Sequence, residues 1–191
     1  MYRALLFLLK CIDNLSVFVG KTAAWLVVPI MLLPAFEAII RSAIGIATVW
    51  SWELALMFYG AHFMLGGAWV MQQNRHVRAD VLTVKLPVRV QAVMEIILFA
   101  TIFAIFMYAM IPASWKHAMH SLATGERTFN EWAPPFYPLK TVIAVSFILM
   151  ALQGFANTVR ALLFLITGST GRDNETYWVA PASAGKQGET S

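Results

Sequence analysis

His76, Arg78 and Asp80 stand at alternate positions in the segment HVRAD, and His76 and Asp80 are also four residues apart. Either an extended strand or a helix therefore lets the imidazole meet the carboxylate. A hydrolytic site built on that contact also needs a nucleophile and a group that stabilises an oxyanion. The sequence contains no Gly-x-Ser-x-Gly, no His-Glu-x-x-His and no paired aspartates inside an apolar segment to supply them, so catalysis is not expected of this chain. Cys11 is the one cysteine, which excludes an internal disulfide, and Lys10 stands where a lipid-attachment signal has a small residue. No Cys/His cluster has zinc-finger spacing, and neither a metal nor a cofactor is expected to bind.

Glu37 and Arg41 form a second group. Four residues apart, they share a helix face and can pair. One reading is a proton or ion site; the other is a brace, within the helix or from Arg41 to Glu53 on the next segment. The brace is favoured, because ionised groups near lipid are costly unless paired. Pro29 and Pro34 precede the pair and remove backbone donors, so a kink is expected there. His62 falls in the middle of an apolar run, where a neutral imidazole can satisfy itself against a neighbouring helix. Gly60, Gly66, Gly67 and Ala68 place small side chains along the same run and allow close helix approach.

These residues are carried by a chain built for lipid. Of its residues 59% are apolar and 13% charged, and the mean hydropathy is +0.66, far above that of a soluble domain. The uncharged run from Leu54 to Met71, extended by Gln72 and Gln73, is long enough as a helix to cross a hydrocarbon core of about 30 Å. The expected fold is an all-α integral membrane protein with four transmembrane helices, at about residues 22–46, 52–72, 90–113 and 139–162. Residues 1–20 read as an interfacial helix, because apolar positions recur at helical spacing from Tyr2 to Phe18 with Arg3, Lys10 and Asn14 interrupting. The amino-terminal run is read as retained, since Lys10 and Asp13 follow it where a cleaved signal has small residues. Residues 21–167 form the membrane domain, and 168–191 are too polar to pack and read as a mobile tail.

Charge sets the orientation. Arg3, Lys10 and Lys21 against Asp13 leave an excess of two (3 − 1) before the first span, and Arg75, Arg78, Lys85 and Arg89 against Asp80 leave three (4 − 1) after the second. Lys and Arg are retained on the cytoplasmic side, so both termini and the middle connection are expected in the cytoplasm. Trp50, Trp52, Trp115, Trp132, Phe136 and Tyr137 then fall near the outer surface, where aromatic side chains anchor helices. The net charge of +4 is spread over the span flanks rather than gathered with stacking aromatics, so no nucleic-acid partner is expected. In TFNEWAPPFYPLK, Pro134, Pro135 and Pro138 stiffen an aromatic loop, which suits either docking or folding back on the membrane surface.

The combined pattern resembles the small membrane subunit of tripartite ATP-independent periplasmic (TRAP) transporters, the DctQ-like family, over most of residues 20–165. The likeness rests on Arg41 late in the first span, Trp52-Glu53-Leu54 opening the second and Gly66-Gly67-Ala68 near its end. It continues with His76-Val77-Arg78-Ala79-Asp80 beyond it, and with Trp132-x-Pro134-Pro135 before a fourth span holding Leu152-Gln153-Gly154. A departure is the single Glu after Ser51-Trp52, where many relatives have two acidic residues, which leaves the local partner of Glu53 open.

The resemblance implies a non-catalytic subunit of the bacterial inner membrane that packs beside a large membrane subunit. That large subunit carries the transport path and uses a sodium gradient, and a periplasmic substrate-binding protein delivers an organic anion, commonly a carboxylate. Glu37, Arg41, Trp52, Glu53, Gly66, Gly67, His76, Arg78 and Asp80 are then structural or partner-contact candidates, and Trp132, Pro134 and Pro135 are candidates for docking the binding protein. The alternative is a self-sufficient four-helix exporter that exchanges protons at Glu37; against it, Arg41 would hold Glu37 ionised, and the long loops and tail would serve no purpose.

Overall fold

A computed structural model describes residues 2–73 and 88–167. Its helices are α1 (Tyr2–Ala24), α2 (Val27–Ile44), α3 (Val49–Gln72), α4 (Val88–Leu98), a π-helical turn at Phe99–Phe103, α5 (Ala104–Thr124) and α6 (Tyr137–Thr167). By length and composition four stretches can cross a membrane: Arg3–Ile44, Val49–Gln72, Ile96–Thr124 and Tyr137–Leu163. The protein is a multi-pass, all-helical membrane protein, as its hydropathy requires.

The first stretch breaks once, at Trp25–Leu26, and Pro29 accounts for the position. Its ring crowds the carbonyl of Trp25 and offers that oxygen no N–H. Val28 N donates to Trp25 O instead at 3.2 Å, and Leu26 N donates to Ala23 O at 3.0 Å, so the turn tightens to three-residue spacing. Pro34 lies inside α2 without interrupting it. Between residues 20 and 21, where sequence reasoning put the end of an interfacial helix, α1 runs on unbroken. At about 1.5 Å per residue, the 42 residues of Arg3–Ile44 extend about 63 Å, twice the hydrocarbon thickness. Gly20 sits against Trp69, three residues before the end of α3, so the start of α1 projects past α3.

The third stretch exceeds its expected limit at Ala113. Nothing in residues 114–124 breaks a helix; Gly125 does, capping α5 at φ +60° with its N–H on Ser121 O. Over these added turns Ser114, Ala118 and Ser121 keep a buried stripe at spacings of four and three. Hydropathy saw only the apolar part of a helix whose packing face is small rather than apolar.

Helix α3 packs against α1, α2 and α6, and α6 packs against α1, α3, α4 and α5. Pairs such as Gly60 with Leu139 and Gly67 with Met150 show α3 and α6 running parallel. Ser51 with Leu33 and His62 with Ala23 show the first stretch antiparallel to α3, and Phe106 with Phe147 sets α5 against α6. Thus α2 lies on α3, α3 on α6 and α6 on α5, while α1 touches both α3 and α6. The fourth stretch is the most buried of the four: 44% of its most apolar window lies inside the chain, against 6%, 11% and 6% for the others.

Small residues permit the close contacts. A Cβ on Gly20 would lie 2.4 Å from Trp69 Cβ, and one on Gly154 would lie 2.4 Å from Phe99 and 2.6 Å from Phe103, whose rings stack across the π turn. Gly67 touches Met150, whereas a Cβ on Gly66 would meet nothing within 4 Å. The adjoining pair Gly66-Gly67 thus splits into one open and one packing position. Gly20→Ala and Gly154→Ala are therefore expected to lower stability by about 1–3 kcal/mol through overpacking. Gly66→Ala should leave it unchanged or raise it by up to about 1 kcal/mol through helix propensity. Thermal loss of helical ellipticity in detergent orders the three variants.

Candidate functional site

The most extensive polar cluster joins the two ends of the described chain. Arg160 Nη1 and Nη2 donate to Asp13 Oδ1 and Oδ2 at 3.0 and 2.8 Å, a fork-to-fork pair. Gln153 Nε2 donates to Asp13 Oδ1 at 2.9 Å and to Asn157 Oδ1 at 3.2 Å, while Ser16 Oγ donates to Gln153 Oε1 at 2.7 Å. Asn157 Nδ2 reaches the Met71 carbonyl at 3.0 Å, near the end of α3. Every side chain in this cluster is buried, Gln153 completely. Gln153, Asn157 and Arg160 follow one another at spacings of four and three, so one face of α6 presents all three, and Asp13 and Ser16 meet it from α1. The chemistry is fixation: carboxylate, guanidinium, amides and hydroxyl satisfy one another and lock three helices at one end.

Sequence reasoning counted Asp13 as a flank charge and Gln153 as part of a Leu-Gln-Gly signature. The available signal was periodic: three polar residues on one face of an otherwise apolar helix demand partners, and Asp13 and Ser16 form a matching pair.

At the opposite end, Glu37 does not pair with Arg41. Both carboxylate oxygens of Glu37 accept the backbone N–H of Thr48 at 3.0 Å, and one also accepts the Thr48 hydroxyl. Thr48 is the N-cap of α3, so Glu37 places a carboxylate at a helix N-terminus, where free N–H groups and the helix dipole favour it. Gly45 ends α2 in the left-handed region at φ 75° and donates to Arg41 O at 3.1 Å. This turns the chain sharply enough to bring Thr48 back to Glu37. The Arg41 side chain is exposed. A local helix pair is worth only about 0.2–0.5 kcal/mol, less than the unsatisfied N-terminus it would leave behind, so the cap prevails.

Glu53 in α3 faces the loop between α5 and α6. It accepts from the Thr128 hydroxyl at 3.3 Å and from the Asn130 amide, and is 5% exposed. These are the local partners that the sequence left open. The loop closes on itself: Thr128 N donates to Pro134 O at 3.1 Å, Phe136 N to Glu126 O at 3.0 Å and Arg127 Nη1 to Ala133 O at 3.3 Å. Ala133 sits at φ 43°, a left-handed position for a residue with a Cβ, and its N–H on Asn130 O closes the tip. Pro134 is buried in this clasp and Pro135 pairs with Arg127, whereas Trp132 is 42% exposed and Phe129 projects fully. Of the three docking candidates, Trp132 is presented outward and the buried Pro134 shapes the loop; Trp52 is exposed beside Glu53.

His62 Nδ1 lies 2.8 Å from Ala23 O. The carbonyl can only accept, so Nδ1 carries the proton, and the imidazole covers the backbone where the first stretch breaks. His76, Arg78 and Asp80 lie outside the described residues. Among the described residues no group of three His, Cys, Asp or Glu could hold a metal ion.

Lys140 donates to Glu126 at the loop's base, and its ammonium holds the Glu126 carboxyl below the ordinary glutamate range. A depressed carboxylate pKa contributes stability above the unfolded-state pKa and loses it as pH falls through the folded one. Acidification through and below the ordinary glutamate range is thus expected to loosen the loop, read as a change in Trp132 fluorescence. Lys140→Met should weaken that acid response, as should high salt, because the pair is partly exposed.

Comparison with known families gives a match over most of the chain. The model described as "Tripartite ATP-independent periplasmic transporters, DctQ component" covers residues 30–164. No curated protein and no solved structure matches the chain.

Proposed function

Because the chain belongs to the DctQ component family of tripartite ATP-independent periplasmic transporters, we propose that it is the small, non-catalytic membrane subunit of a sodium-driven importer of organic anions, and that it braces the large transport subunit. It resides in the bacterial inner membrane with both termini in the cytoplasm, the side favoured by its flanking Lys and Arg. The large subunit carries the transport path and the sodium sites, and a periplasmic binding protein delivers the substrate, carboxylates being the expected class.

The observation that carries this reading is how the polar groups inside the wall are used. Asp13, Arg160, Gln153 and Asn157 tie helices together, Glu37 caps α3, Glu53 holds a loop and His62 covers a broken backbone. Each is spent on bracing, which fits a support better than a conduit. The large apolar side chains left exposed on α2, α3 and α5, Met31, Phe63 and Ile105 among them, support it too, as surface for a larger neighbour. The loop that presents Trp132 and Phe129 lies at the opposite end of α3 from the Asp13–Arg160 cluster, facing the binding protein in this orientation. Arg78 and Asp80 remain proposed partner contacts on the cytoplasmic side.

Co-expression with a large multi-span subunit from the same transporter tests the reading. The two chains are expected to co-purify, and vesicles should take up substrate only when both chains, the binding protein and a sodium gradient are present. Proton-coupled export of organic cations by this chain alone, lost in Glu37→Gln, would overturn it.

A further inference from the structure

We propose that the cavity beneath the 125–136 loop binds the ammonium group of an ethanolamine phospholipid, with the Glu53 carboxylate as its acceptor. The cavity has a volume of about 300 Å³, and Glu53, Leu56, Met57, Phe129, Phe136 and Leu139 shape it. Glu53 is 5% exposed, yet its hydrogen-bond donors, Thr128 and Asn130, are neutral. Among the described residues no cation forms an ion pair with it. Of the basic side chains in the loop and at the start of α6, Lys140 is committed to Glu126 and Arg127 to Ala133 O, and Arg41 on α2 is exposed. A carboxylate withdrawn from water is strongly favoured by a cation, and this one opens on a cavity with room for a small headgroup.

The order of groups along the cavity selects the ligand. Glu53 lies near the start of α3, and Leu56 and Met57 follow one turn further along, deeper in the bilayer; Leu139 lies beside Gly60 from α6. Polar acceptor above and apolar wall below match a phospholipid at the interface, its ammonium level with the aromatic anchors and its chains directed inward. A primary ammonium has three N–H donors for the lone pairs that Thr128 and Asn130 leave over; the Phe136 ring beside it already carries the Lys140 ammonium, 5.7 Å from its centroid. A trimethylammonium headgroup keeps the charge but cannot donate, and a glycerol headgroup lacks the cation.

Native mass spectrometry of the full chain, delipidated in detergent and supplied with phosphatidylethanolamine, phosphatidylcholine or phosphatidylglycerol of identical acyl chains, tests the proposal. The wild type is expected to retain phosphatidylethanolamine most strongly, and Glu53→Gln, which keeps an acceptor for the loop, should lose about tenfold in that preference. Glu131→Gln, an exposed carboxylate of the same loop, should keep it. Should Glu53→Gln fail to fold, thermal stabilisation of the wild type by short-chain phosphatidylethanolamine over short-chain phosphatidylglycerol gives the same answer. Equal retention of the three lipids by the wild type overturns the proposal. So does a Glu53→Gln variant that keeps its lipid preference while losing co-purification with the large subunit, which would assign the cation to a partner's side chain.

Discussion

The pairing of Asp13 with Arg160 is the constraint on which the rest of the structure depends. Both groups are buried, one near the beginning of the described chain and one near its end, and neither could stay there alone. Breaking a buried pair by removing one partner costs about 3–5 kcal/mol, a large part of a protein's net stability. Helical hydrogen bonds between membrane helices average only about 0.6 kcal/mol each, so Ser16, Gln153 and Asn157 tune the junction while the ion pair decides it. Through Asn157 the junction also reaches the carbonyl of Met71, so that α1, α3 and α6 share one fixed point.

With that end closed, the other features follow in order along the wall. Antiparallel packing carries α1 along α3 until Pro29 tightens the backbone, where His62 adds a second hydrogen bond to the buried Ala23 carbonyl. Beyond the break, Gly45 turns the chain and Glu37 caps the next helix. On the far side of α3, glycines at 60 and 67 admit α6, and Gly154 admits the stacked rings of Phe99 and Phe103. Asp13, Glu37, His62 and Arg160 each answer a backbone or charge problem created by a neighbour. Several of these helices keep large apolar side chains exposed, Met31, Phe63 and Ile105 among them.

Much of this was legible in the residues. Apolar runs announced four spans, Pro29 announced a kink, and Gly67 a close contact, because lipid and backbone sterics impose these rules locally. The partners of polar side chains were less accessible. Glu37 and Arg41 matched a local pairing rule, but Glu37 had a stronger claim on Thr48, whose position depends on a left-handed Gly45 and a sharp turn. Asp13 met Arg160 across 147 residues of sequence, and only the periodic polar face of α6 hinted that a partner was required. The extension of α5 to Thr124 escaped hydropathy because its packing stripe is Ser and Ala. His76, Arg78 and Asp80, the most conspicuous chemical group in the sequence, lie outside the described residues.

A double-mutant cycle on Asp13→Ala and Arg160→Ala, followed by reversible unfolding in mixed micelles with helical ellipticity as the readout, addresses the central claim most directly. A coupling energy above about 1 kcal/mol between the two positions is the predicted result, since each single change strands a buried charge that the double change removes. Losses that add to within about 0.5 kcal/mol would show the two residues acting independently and would contradict the account.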